Sequence, residues 1–163
     1  MDWNNWVPLK ANIFLWKAEM NRIPTLTALT SRSIQVGTTV CKLCGHDEET
    51  SEHLFTSCFF ASQVWWLVAN WCKVPPIFAF STRDLLLVHK VQRLDRRLKK
   101  VFHGIMITAC WCIWKTRNGV IFSGKTAEAT RTLEEIKSLS YLWIKNRSPL
   151  KDVSWKNWCN FVL

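Results

Sequence analysis

The sequence predicts an all-α fold: a small helical bundle with a zinc-knuckle-like loop and a C-terminal helical extension. Three observations lead there. Apolar residues recur at helical spacing over most of the chain. A β-branched piece at 34–41 is short and broken by Gly37. A Cys/His array at 41–58 marks a metal-stitched corner and not a strand. The expected division is a zinc-binding domain over 1–76 and a helical extension over 77–163.

The elements follow in order. Residues 10–22 read as a helix with Ile13, Phe14 and Met20 at helical steps, stopped by Pro24. Thr25 is placed to N-cap a short helix through Leu26 and Leu29 to about Ser33. The 34–41 piece is an extended arm or a turn into the array. After Cys58, Val64, Leu67, Val68, Trp71 and Cys72 fall at i, i+3, i+4, i+7 and i+8, which is one helical face. Pro75 and Pro76 forbid helix after it. Ser81 and Asp84 resemble a capping box opening a helix to about Val91. The strongest periodicity is Leu98, Val101, Phe102, Ile105, Met106, Ala109, Cys112 and Ile113, a single stripe expected to end near Arg117 at the Asn118-Gly119 stop signal. Its ten-residue apolar run over 105–114 is too short to cross a bilayer and reads as a buried helix. A last long helix is expected from Thr126 to Ser148-Pro149, with Leu133, Ile136, Leu139, Leu142 and Trp143 inward. Trp155, Trp158 and Phe161 in the tail can pack back on the body.

The array itself is CKLCGHDEETSEHLFTSC over 41–58, a C-x2-C-x8-H-x4-C pattern. Two thiols two residues apart reach one ion from one tight turn, and Gly45 suits the bend. Three sulfurs and one nitrogen, with no position left open, describe one structural Zn2+ held by Cys41, Cys44, His53 and Cys58. His46 is the rival ligand, but from two residues beyond Cys44 it strains the turn. On a continuous helix His53 and Cys58 are about 140° out of phase, so the chain must turn between them. Cys72, Cys110, Cys112 and Cys159 lie in apolar, Trp-rich surroundings and read as small core hydrophobes. Seven cysteines without regular spacing are not a disulfide framework, which fits a reducing, intracellular compartment. The start, MDWNNW, lacks the pattern of a secretory signal.

Net charge is +10, and such an excess favours an acidic partner, with RNA or DNA the commonest. The array is itself acidic, with Asp47, Glu48, Glu49 and Glu52 and no Lys or Arg over 45–58. The positive charge concentrates in Arg83, Lys90, Arg93, Arg96, Arg97, Lys99 and Lys100, either a phosphate-binding face or a solvated helix face. The eleven tryptophans read chiefly as packing, with an exposed stacking surface for bases or a protein partner as the alternative. The five Asp include no adjacent pair, so the two-metal chemistry of polymerases is not expected. Nor is there a P-loop, GxGxxG or GxSxG motif. No catalysis and no membrane partner are expected.

One ordered series is more specific than the ligands alone. LKANIFLW over 9–16, RIPT over 22–25, Leu29 and Arg32 precede the array. Within and after it come Glu49-Thr50, EHLF over 52–55, and Val64-Trp65. This series resembles the reverse-transcriptase zinc-binding domain of plant LINE-type (non-LTR) retroelements, over roughly residues 3–72. WCIWKTRN over 111–118 is similar, more loosely, to the segment that follows it in plant elements. The resemblance implies an accessory module that helps hold template RNA or target DNA, with polymerase and endonuclease domains elsewhere in the element. It implies the same four zinc ligands. The expected function is thus a structural zinc module with accessory nucleic-acid binding. The alternatives are a protein-interaction module or a non-functional retroelement remnant.

Overall fold

The computed structural model describes residues 3–163, so the first two residues of the MDWNNW start lie outside it. Among the described residues there are seven α-helices, one π-helical turn and a lone antiparallel bridge, Val40 to Glu48. No helix is long and apolar enough to cross a membrane.

Helix α1 spans Leu9–Glu19, shorter than predicted. Its stop is Asn21 rather than Pro24. Asn21 takes a left-handed conformation (φ 53°), and the Arg22 N–H closes on the Lys17 carbonyl at 2.7 Å. Asn tolerates that conformation better than most residues, and the paired closure is a Schellman ending. Met20 is therefore at the cap, 40% exposed, and not on the buried face. Helix α2, Leu26–Thr30, starts where expected: Thr25 Oγ1 accepts from the Ala28 N–H. Helix α3, Phe59–Cys72, buries Val64, Val68, Trp71 and Cys72 as predicted, with Leu67 only half-buried. Helix α4, Thr82–Val91, is capped by Ser81, whose Oγ accepts from the Asp84 N–H.

Helix α5 is the axis of the molecule. It spans Arg96–Ser123 and packs against α1, α3, α4 and α6. Every residue from Val101 to Cys110 is buried, so this stretch is enclosed on all sides. The predicted stop at Asn118-Gly119 is wrong by a turn and a half. Asn118 spends its side-chain oxygen on Arg117 Nη1 (3.0 Å), and the helix continues to Gly124, whose φ of +59° makes it the C-terminal glycine.

Helix α6 spans Ala129–Arg147, starting three residues after Thr126. Its buried line is Thr132, Ile136, Ser140 and Ile144. Leu133, Leu139 and Trp143 are half-buried, and Leu142 is 54% exposed, contrary to expectation. The small hydroxylated residues face inward because they satisfy themselves. Thr132 Oγ1 donates to the Glu128 carbonyl, and Ser140 Oγ to that of Ile136. Thr132 also meets Thr116 of α5 at 3.1 Å between hydroxyls. A reading by hydrophobicity passes over such positions. Helix α7, Trp155–Cys159, carries Trp158, fully buried against Trp71. Trp158 Nε1 donates to the Lys137 carbonyl at 3.0 Å. Phe161 is buried too, but Trp155 stays 45% exposed.

One continuous apolar cluster runs from Trp6 to Phe161, across residue 76. Trp6 packs closely against α5 at Gly104. A Cβ on Gly104 sits 2.0 Å from the indole Cζ2, so only glycine permits this approach. We predict that Gly104→Ala lowers stability by about 1–3 kcal/mol through overpacking, despite alanine's better helix propensity, as measured by urea unfolding.

Candidate metal centre

The array folds as a small pinched hairpin. The Cys41 N–H donates to the Asp47 carbonyl at 2.8 Å, and the Glu49 N–H to that of Thr39 at 2.8 Å. At its tip Gly45 takes φ +74°, and its N–H closes on the Cys41 carbonyl. This turn brings Cys41 and Cys44 to one side. The chain then enters the π-helical turn His53–Ser57. Its defining bond, Cys58 N–H to the His53 carbonyl at 2.8 Å, is the reversal that spacing demanded between His53 and Cys58. Cys58 then sits at the N-cap of α3. Trp65 of α3 locks the turn by donating from Nε1 to the Phe55 carbonyl at 2.7 Å.

Cys41, Cys44, His53 and Cys58 converge, with donor atoms all within 4.8 Å of one another. Cys41 Sγ lies 4.0 Å from Cys58 Sγ, and Cys44 Sγ lies 3.3 Å from His53 Nε2. Bonds of about 2.3 Å to sulfur and about 2.0 Å to nitrogen separate tetrahedral donors by roughly 3.5–3.8 Å. The four side chains thus fit one zinc ion. His46 is exposed and outside the cluster.

The surroundings suit a structural ion. His53 presents Nε2 to the cluster, and its Nδ1 lies 3.2 Å from Ser57 Oγ and 3.7 Å from Asp47 Oδ2. Such outer partners fix the ring's tautomer and orientation. Burial holds the His53 imidazole below its ordinary value, against the opposing pull of Asp47 and Glu49. That favours the neutral form that binds metal. Cys58 is held low chiefly by its hydrogen bond with Cys41, and that same bond, with burial, pushes Cys41 up. Zinc takes the place of the thiol protons on binding. Elsewhere burial pushes the Cys72, Cys110 and Cys112 thiols up, so these remain inert core groups.

Residues 1–65 match the family model for zinc-binding in reverse transcriptase. The match supports a reverse-transcriptase zinc-binding domain over this segment, the accessory part of such an enzyme and not its catalytic domain. With the four-residue cluster it supports one structural zinc. No curated protein and no solved structure matches the chain.

The acidic character of the zinc loop needs correcting at one position. Asp47, Glu48 and Glu52 are exposed, but Glu49 is fully buried. Its carboxylate meets Arg117 of α5, itself 2% exposed: Nε lies 3.1 Å from both oxygens and Nη2 2.5 Å from Oε1. Glu49 Oε1 also accepts from the Leu26 N–H at the start of α2 (2.9 Å). The Arg117 guanidinium lies over the Trp114 ring at 4.6 Å, and Nη2 reaches the Pro24 carbonyl. This constellation was missed in the sequence. The available signal was Arg117 itself, a charged residue continuing the apolar stripe four places after Ile113.

The seven basic residues divide. Arg96, Arg97, Lys99 and Lys100 crowd the first turns of α5, and Lys99 Nζ donates to the Lys90 carbonyl at the end of α4. Arg93 lies in the connection between these helices. All but the half-buried Lys99 are exposed. Arg83, at the other end of α4, is about 10 Å along the axis from Lys90.

Two outcomes follow. Cys58→Ser loses zinc and melts the region 41–72, since the binding free energy of such sites, about 10 kcal/mol or more, is folding free energy. Metal content per chain and circular dichroism check it, and full zinc content in the variant contradicts the ligand set. Glu49→Gln destabilises by about 3–5 kcal/mol because Arg117 is left buried without its counter-charge, whereas replacing both by apolar residues costs less. Urea unfolding of the single and double variants measures the difference.

Proposed function

We propose that this chain is a zinc-stabilised nucleic-acid-binding module, derived from a plant LINE-type retroelement reverse transcriptase and without catalysis of its own. The family match and the ordered series from Leu9 to Trp65 support the origin. The observation that carries the binding reading is where the cations stand. Four of them occupy the first turns of α5, where the one carboxylate, that of the N-cap Asp95, is engaged by the Leu98 N–H at 2.8 Å. That is the positive end of the helix dipole, where cations weaken a helix and anions strengthen it. Exposed cations gathered at one corner suit a phosphate-binding face. The zinc hairpin, acidic at its exposed tip, holds the fold and leaves the contact to the α4–α5 region.

A second reading rests on a different observation. Phe80, Phe78 and Trp66 are 95%, 82% and 63% exposed around a cavity of about 660 Å³. An apolar surface of this kind fits a protein partner. Capture of a partner that survives nuclease treatment favours this reading.

The nucleic-acid reading predicts that affinity for single-stranded RNA falls linearly with log salt. Neutralising Arg96 and Arg97 together (Arg96→Gln, Arg97→Gln) lowers the slope by roughly 0.7 for each phosphate the protein no longer neutralises. Fluorescence anisotropy across a salt series measures it, and a flat response removes the reading.

A further inference from the structure

We propose that the cavity between the start of α5 and the end of α6 takes one unpaired base of a single-stranded nucleic acid, with the adjoining phosphates held by Arg97, Lys100 and Arg147. The inference rests on the nucleic-acid reading above and gives it a site and a strand preference.

Sequence separates these cations, with Arg147 lying 47 residues beyond Lys100. The packing of α6 along α5 brings the last turn of one helix beside the first turns of the other, so all three line one cavity of about 200 Å³. All three are exposed, and none has a carboxylate partner among the described residues. No Asp or Glu lines the cavity. Three exposed cations at one opening suit an anion of more than one charge, or successive phosphates of a strand.

The lining suits more than a bare anion. Besides the cations, Asn5 and Ser148, it is apolar: Trp6, Val101, Ile144, Pro149 and Leu150. The space is smaller than the roughly 300–1,000 Å³ of pockets that hold drug-sized molecules, so it suits a single ring system. A ring with phosphates attached on either side is the repeating unit of a nucleic-acid strand. The wall residue Trp6 is 2% exposed and anchored against α5 at Gly104. The site is also braced: Asn4 Nδ2 donates to the Lys100 carbonyl at 2.8 Å, and Asn12 holds the Asn4 backbone through two further bonds. A base in a duplex is stacked and paired, and must leave its stack to enter.

The test uses the full zinc-loaded chain with a short labelled single-stranded RNA and the blunt duplex of the same sequence, at fixed low salt. Binding to the single strand is expected to be about tenfold tighter than to the duplex, the scale of one stacked base. Leu150→Trp, which fills the cavity without removing charge, abolishes that preference and leaves duplex binding and zinc content unchanged. Arg147→Gln, at an exposed position that does not threaten the fold, weakens single-strand binding about fivefold and lowers the salt slope. Equal affinity for the two RNAs, together with no effect of Leu150→Trp, overturns this site while leaving the proposed function standing. Loss of salt-dependent binding to both RNAs in the unaltered chain overturns the proposed function and this site together.

Discussion

The buried contact between Glu49 and Arg117 is the constraint on which the rest of the arrangement depends. Glu49 belongs to the zinc hairpin and Arg117 to the central helix, and neither has access to water. Two opposite charges tolerate that only when their geometry is good and their remaining donors and acceptors are met. Here the carboxylate also accepts the first amide of α2, and the guanidinium also reaches Pro24 and Asn118. One pair thereby fixes the hairpin, the start of α2 and the far half of α5 in a single register. The zinc ion orders the hairpin, and the hairpin presents Glu49.

Each half of the molecule leans on the other through this contact. The hairpin and π-helical turn bury little apolar surface of their own beyond Leu54 and Phe55. Small elements of that kind need a metal or a larger core to persist. The zinc supplies the first and α5 the second. The exposed cations of the α4–α5 corner lie outside the ligand cluster, whereas the aromatic face around Phe78 and Phe80 adjoins the π-helical turn through Phe55 and Thr56.

Most of the architecture was legible in the sequence because local signals and burial agree there. The four ligands were readable from spacing, and the reversal before Cys58 from helical phase. Thr25, Ser81 and the long apolar stripe placed α2, α4 and α5. The misreadings came where side chains solve a local problem that hydrophobicity does not score. Asn21 and Gly124 end helices through left-handed backbone, while the stop signal at Asn118-Gly119 is overridden because Asn118 serves Arg117. Thr132 and Ser140 face the core because they return their hydroxyls to their own helix. Glu49 looked like one more solvated acid of the loop. Its partner is 68 residues away, and only the fold brings the two together. Arg147 joined the cationic cavity for the same reason, since helix packing and not sequence proximity sets its neighbours.

Hydrogen exchange of the zinc-loaded chain against the same chain stripped by a chelator tests this coupling most directly. If the ion holds Glu49 against Arg117, stripping it removes protection from the hairpin and also from the amides of α5 around Arg117. Loss of protection confined to 41–58, with α5 as slow to exchange as before, contradicts the account.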